Sequence, residues 1–294
     1  MYWFVPGGTV LHDRDLETLR LLDEEKLIHV SRAHIKSAKG RSITLSNNVT
    51  VETDAVVFCT GWQLAFPTLF SSTLSYELGL PCDPSVVPQK EEAYLKSLDS
   101  ASEMRIETLY PLLKHPPKNI HIPKSTLTPF RLFRFIAPPK LAAKGDNSIV
   151  FLGNWANGRP LVTAEIASLW SVAYLEGLMP DHTKSLLTQP DAMDRDIAHI
   201  EAYRRKRYLN ALPFRISIFE SGEFEEQLMK DLGLRPDRKA MKIPTGLKGW
   251  FGWKAWKSEW FDPYFASDYK GLVQEFLQNV EERGGGDAEV RRKI

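Results

Sequence analysis

Ser42–Ile43–Thr44–Leu45–Ser46, Asn47–Asn48, Val49–Thr50–Val51–Glu52 and Asp54–Ala55–Val56–Val57–Phe58–Cys59–Thr60–Gly61–Trp62 follow one another almost without interruption. The first and third segments alternate polar and apolar residues, the period of a strand with one wet face. Asn47–Asn48 between them tolerates the positive φ angles of a tight turn, so the spacing predicts a β-hairpin. The last segment is an apolar run opened by Asp54 and closed by Thr60–Gly61. It reads as a buried strand that ends at a sharp turn.

Outward from this core the pattern changes. Upstream, Asp15 to Glu24 carries Leu16, Leu19 and Leu22 at helical spacing, and Lys26 to Ile35 reads as extended. Downstream, Pro67 to Pro139 is irregular and proline-rich, a long excursion with short helices near Glu91 to Leu98 and Ile106 to Leu113. Order returns at Ser148–Ile149–Val150–Phe151–Leu152–Gly153, which reads as a second buried strand. Through Asn154 to Pro160 it leads into a helix from about Thr163 to Leu175, with Ile166, Leu169, Trp170 and Ala173 on one face. Further helices are predicted over Ala192 to Leu209, Phe224 to Leu232 (stopped by Gly233) and Lys270 to Glu282. Three regions result: 1–66, with the β-hairpin; 67–180, with the excursion, second strand and following helix; and 181–294, helical with a Trp-rich segment.

Composition excludes several classes. An apolar fraction of 43% and a charged fraction of 26% are those of an ordinary globular chain. Lys plus Arg (38) balances Asp plus Glu (37), which argues against a nucleic-acid partner. Cys59 and Cys82 make neither a disulfide framework nor a metal site, and the seven histidines show no metal-ligand spacing. Met1 to Leu11 does not have the form of a signal peptide, and no apolar run could span a bilayer. A reducing, cytoplasmic setting is expected. Arg204–Arg205–Lys206–Arg207 reads as the solvated basic end of a helix. Trp250, Trp253, Trp256 and Trp260 read first as one packed helical face, and second as a peripheral membrane contact.

The hairpin followed by Asp54, Val56, Val57, Thr60, Gly61 and Trp62 resembles the D-x-[VI]-[VI]-x-x-T-G-[YFW] strand that follows a three-stranded β-meander in flavin-containing monooxygenases. Phe151–Leu152–Gly153, Glu165 to Trp170 and Gly177–Leu178–Met179–Pro180 are similar to a later part of that family, where a strand ending in F-[IL]-G lies near the flavin. The resemblance is to the C-terminal part of such a protein. Neither of the family's two G-x-G-x-x-G loops, for FAD pyrophosphate and for NADPH, occurs in these 294 residues.

The resemblance implies an α/β fold: a remnant of a dinucleotide-binding, Rossmann-like domain with its β-meander, plus a mainly helical C-terminal portion. It implies an FAD-dependent monooxygenase-like oxidoreductase acting on a small lipophilic metabolite, with NADP as the second cofactor. Thr60, Gly61, Trp62, Gly153 and Asn154 are the residues it places at the cofactor. No catalytic residue and no metal ligand is assigned. The missing loops leave two other readings open, a redox-inactive relative that binds or rearranges a metabolite without flavin, and a half-protein that needs a partner chain. A partial Rossmann sheet would expose apolar edges, so a homo-oligomer or a partner chain is expected.

Overall fold

The computed structural model describes residues 20–21, 23–24, 27, 29–58, 66–117, 125–155, 157–209, 217, 219–239, 257, 262 and 264–284. The described residues up to 58 belong to one compact unit and those from Phe66 onward to another.

The first unit is a three-stranded antiparallel meander, β1 (Ile35–Lys39), β2 (Ser42–Leu45) and β3 (Thr50–Glu52), in the order β1-β2-β3. Ile43 faces Ala38 on one side and Val51 on the other, and a bulge between Ile35 and Ser37 shifts the outer register. The predicted hairpin is present. Asn48 takes the positive φ (64°) its turn requires, and Asn47 braces the turn by accepting from Val49 N–H at 3.2 Å. The first strand begins at Ile35, where the segment read as extended ends. The run Asp54 to Phe58, expected as a buried strand, is not a strand, and Val56, Val57 and Phe58 are 44%, 81% and 73% exposed. An inner parallel strand needs a hydrogen-bonded neighbour on each side, and none flanks this run among the described residues.

The second unit is helical: α1 (Phe66–Leu69), α2 (Ser72–Glu77), α3 (Gln89–Leu109), α4 (Pro139–Ala142), α5 (Pro160–Leu175), α6 (Asp181–Leu187), α7 (Pro190–Arg207), α8 (Ser221–Asp231) and α9 (Leu272–Glu282). Pro160 and Pro190 open α5 and α7 at first-turn positions, where no N–H is needed. Gly233 stops α8 as expected: its N–H donates to Lys230 O and that of Leu234 to Met229 O, at 3.0 and 2.9 Å. The two short helices predicted in the excursion are largely one 21-residue helix, α3, followed by a single tighter turn over Pro111–Lys114. Glu91 and Glu92 in its first turn suit the helix dipole.

Helix α5 is the centre of the core. Ile166, Leu169, Trp170 and Ala173 are buried as their spacing predicts, and so are Val162, Ala167 and Tyr174. Trp170 and Tyr174 stack with centroids 5.4 Å apart, against a cluster that includes Phe133, Met193, Leu228, Met229 and Phe276. The expected strand at Ser148–Gly153 is only an extended approach to α5. It has one backbone bond, from Phe151 N to Ile136 O at 2.9 Å, too little for a ladder. Phe151 is held instead by aromatic edges, those of Phe66 and Phe70.

The basic run at the end of α7 is not solvated. Arg204 is buried on Glu201, and Arg207 reaches Glu220. Arg205 and Lys206 reach Glu103 and Glu107 at 3.2 and 2.7 Å. Asp99, Glu103 and Glu107 recur every four residues on α3 and form one acidic stripe facing that end. The Trp-rich segment with Trp250, Trp253, Trp256 and Trp260, and most of the predicted helix Asp15 to Glu24, lie outside the described residues.

Candidate functional site

The approach to α5 turns at Gly153, whose φ of +78° disfavours any side chain although a Cβ there would meet nothing within 4 Å. The backbone, not crowding, requires glycine at this turn. Asn154 staples the turn, donating from Nδ2 to Phe151 O at 3.2 Å and to Phe135 O at 3.4 Å. Its amide nitrogen is thus committed to the backbone. Trp155 follows, stacked on Phe224 with centroids 4.5 Å apart and packed on Phe135 at 4.4 Å.

Beyond the turn a polar clamp fixes the start of α5. Asn157 accepts from Arg159 N–H at 2.8 Å and donates to Thr163 Oγ1 at 2.6 Å. Thr163 donates in turn to Glu225 Oε1 at 2.8 Å. Arg159 pairs with the other Glu225 oxygen and donates to Tyr269 OH at 2.8 Å. Burial pushes the Glu225 carboxyl above its usual range, and the Thr163 and Arg159 donors oppose the rise.

Trp155 faces a cavity of about 320 Å³, shared with Ile106, Tyr110, Arg134, Asp196, His199, Ile200, Tyr203, Phe224 and Gln227. Two nitrogens on its walls, Trp155 Nε1 and His199 Nδ1, are shielded from solvent and have no hydrogen-bond partner among the described residues. Buried donors and acceptors are nearly always satisfied, so an unpaired couple on one cavity marks a place for a ligand. Burial holds His199 below the usual histidine value, and Arg105 adds to that against Asp196. The ring is therefore neutral near pH 7, able to donate from one nitrogen and accept at the other. Burial also raises the Asp196 carboxyl, with Arg134 opposing.

The cavity floor is set by a strained turn. Arg134 and Phe135 are consecutive non-glycine residues at φ 51° and 57°, a conformation costing on the order of 1–3 kcal/mol each. The turn is held by the Phe133–Ala137 bridge and by Asp231, which accepts from Arg134 Nε at 2.7 Å, Trp170 Nε1 at 3.1 Å and Gln227 Nε2 at 3.1 Å. Its effect is to send Arg134 inward and Phe135 against Trp155. Among the described residues no group of three or more His, Cys, Asp or Glu could hold a metal.

Of the residues the sequence places at a cofactor, Gly153 and Asn154 form this turn, whereas Thr60, Gly61 and Trp62 lie outside the described residues. Sequence reasoning did not single out Arg134, Asp196, His199 or Asp231. Asp196, His199, Ile200 and Tyr203 share one face of α7, a stripe that helical periodicity alone could have exposed. Arg134 and Asp231 are 97 positions apart, and no local pattern announces their pairing.

For a flavin, the fit is to one end of the molecule. The Gly153 turn leads toward the first turn of α5, where Pro160 has no N–H and the Thr163 N–H donates to Arg159 O, which leaves the N–H groups of Leu161 and Val162 to suit the electron-rich edge of a ring. No glycine-rich loop leading from a strand into a helix occurs among the described residues, so nothing there cradles a pyrophosphate.

The chain is similar to several fungal proteins named FAD-dependent monooxygenase. It is 27% identical over 277 residues to the FAD-dependent monooxygenase DEP4 of Fusarium langsethiae, a match covering 90% of this chain and 43% of that protein. The FAD-dependent monooxygenase DEP4 of Alternaria brassicicola is 30% identical over 242 residues, covering 81% of this chain and 37% of that protein. The FAD-dependent monooxygenase rstn6 of Aspergillus nomiae is 28% identical over 251 residues, covering 85% and 39%. No family model and no solved structure matches the chain. The chain spans about two-fifths of the length of these curated relatives. It resembles the C-terminal part of a flavin-containing monooxygenase-like protein, a Rossmann-like fragment with its meander joined to a helical portion.

Proposed function

We propose that the chain is part of an FAD-dependent monooxygenase-like oxidoreductase that acts on a small lipophilic metabolite, with NADPH as the reductant of its flavin. The observation that carries the reading is similarity, over four-fifths of this chain or more, to three proteins each named FAD-dependent monooxygenase. Bound FAD would supply the activation of O₂. In this reading Thr60, Gly61, Trp62, Gly153 and Asn154 are cofactor residues by resemblance to the family, and Asn154 also keeps the Gly153 turn in shape. Trp155, Phe224 and Ile200 shield the cavity from water, and Trp155 Nε1–H and neutral His199 orient an acceptor oxygen of the metabolite.

Flavin fluorescence anisotropy on the full chain tests this. FAD should bind saturably but weakly, Gly153→Val should abolish binding, and NADPH should be oxidised only when FAD is present. A chain with no saturable FAD binding overturns the reading. A second reading, a half-protein completed by a partner chain or by a second copy, is favoured by the exposed apolar run Val56–Phe58. A chain that stays monomeric at high concentration and is not completed by the N-terminal part of a relative would overturn it.

A further inference from the structure

A second cavity, of about 350 Å³, opens where the excursion meets α3 and α7. Its floor is built on a close backbone approach. Gly79 lies so near residue 131 that an added Cβ would sit 2.6 Å from the Arg131 carbonyl oxygen, and Arg131 N–H donates to Gly79 O at 2.7 Å. A second link runs from Thr128 N–H to Cys82 O at 2.9 Å. The walls between these links and α3 are apolar, contributed by Leu80, Val87, Leu95, Leu127 and Pro129.

The charged groups on this cavity are Glu91, Glu92, Lys96, Asp99, Arg131, Lys140 and Asp194. Six of them close into three ion pairs. Lys140 binds Glu91 at 2.8 Å while lying 3.3 Å over the ring centre of Tyr76, Lys96 binds Glu92 at 2.6 Å, and Arg131 holds Asp99 through both its terminal nitrogens. Asp194, on α7, is left over. It is partly buried and has no hydrogen-bond or ion-pair partner among the described residues. Burial pushes its carboxyl up, Glu91 and Asp191 add to the rise, and Arg131 and Lys140 hold it back without pairing with it. An apolar chamber whose other charges are neutralised in pairs, with one unmatched carboxylate on its wall, complements a ligand with an apolar body and a single cationic donor. Asp194 is on the same helix as His199 but lines the other cavity, so the two cavities are separate sites.

We propose that this cavity binds a small lipophilic amine, its apolar body between Leu80, Val87, Leu95 and Leu127 and its ammonium on Asp194. The site goes beyond the monooxygenase reading and does not depend on flavin. Three probes on one skeleton, naphthylmethylamine, naphthalenemethanol and naphthoic acid, are titrated calorimetrically into the full chain without flavin. The amine is expected to bind about tenfold tighter than the alcohol, and the acid weakest. Asp194→Asn should bring the amine down to the alcohol's affinity and leave the alcohol unchanged. Val87→Trp, which fills the chamber, should remove binding of all three. Equal affinity for amine and alcohol in the native chain overturns the proposal. An amine preference that survives Asp194→Asn, or amine binding that survives Val87→Trp, overturns it as well.

Discussion

The meander and the helical unit use opposite means to specify their structure. In the meander, β1 and β3 are exposed along their whole length and β2 is only partly covered. What fixes it is local: alternation, two asparagines at a turn, and strands that follow one another directly. In the helical unit the determining contacts are remote in sequence, with Arg134 on Asp231, Arg159 on Glu225 and Trp155 on Phe224. Local specification gives a segment its shape and little stability. Remote burial gives stability, and here it also shapes a cavity.

The largest effect that would test this contrast is expected at Asp231. Asp231→Ala leaves Arg134 buried with one of its two acid partners gone and deprives Trp170 and Gln227 of their acceptor. Breaking a buried pair in this way costs about 3–5 kcal/mol, read as a lowered midpoint in urea unfolding. A loss no larger than that of a surface change would show that the helical unit does not depend on this pair. Next comes Gly79→Ala, which meets both an unfavourable φ of +70° and the Arg131 carbonyl. It should cost about 1–3 kcal/mol and speed hydrogen exchange at residues 79–82 and 128–131, with α9 unaffected. The smallest effect is Val51→Ala in β3, where the side chain is exposed. It should shift stability by no more than about 0.5 kcal/mol, and a cost rivalling that of Asp231→Ala would mean the meander is covered in solution.

The same contrast explains what could be read from the sequence. The hairpin, the core face of α5 and the stop at Gly233 were legible because each is written within a few residues. Asp54–Phe58 and Ser148–Gly153 carry the composition of buried strands, but a strand also needs neighbours, and sequence alone does not say whether they are present. The motif singles out Gly153 and Asn154, and in the structure they make a turn. The unpaired nitrogens of Trp155 and His199 were not legible, because a missing hydrogen bond is a property of the packed structure. Arg204–Arg207 was misread for a related reason: a basic helix end is solvated unless another helix brings acids to it, and α3 does.

That meeting of α3 and α7 has a consequence for how the protein can drift. Arg205 lies 3.2 Å from Glu103 and 3.8 Å from Asp99, while Lys206 lies 2.7 Å from Glu107 and 3.7 Å from Glu103. Two cations share three anions, and the middle anion serves both. Loss of any one acid leaves each cation another within reach, so the clasp has a spare rung. A single acid can therefore be lost along α3 without unlatching the helix that carries both His199 and Asp194, whereas losing Glu103 and either other acid strips one cation of its partners.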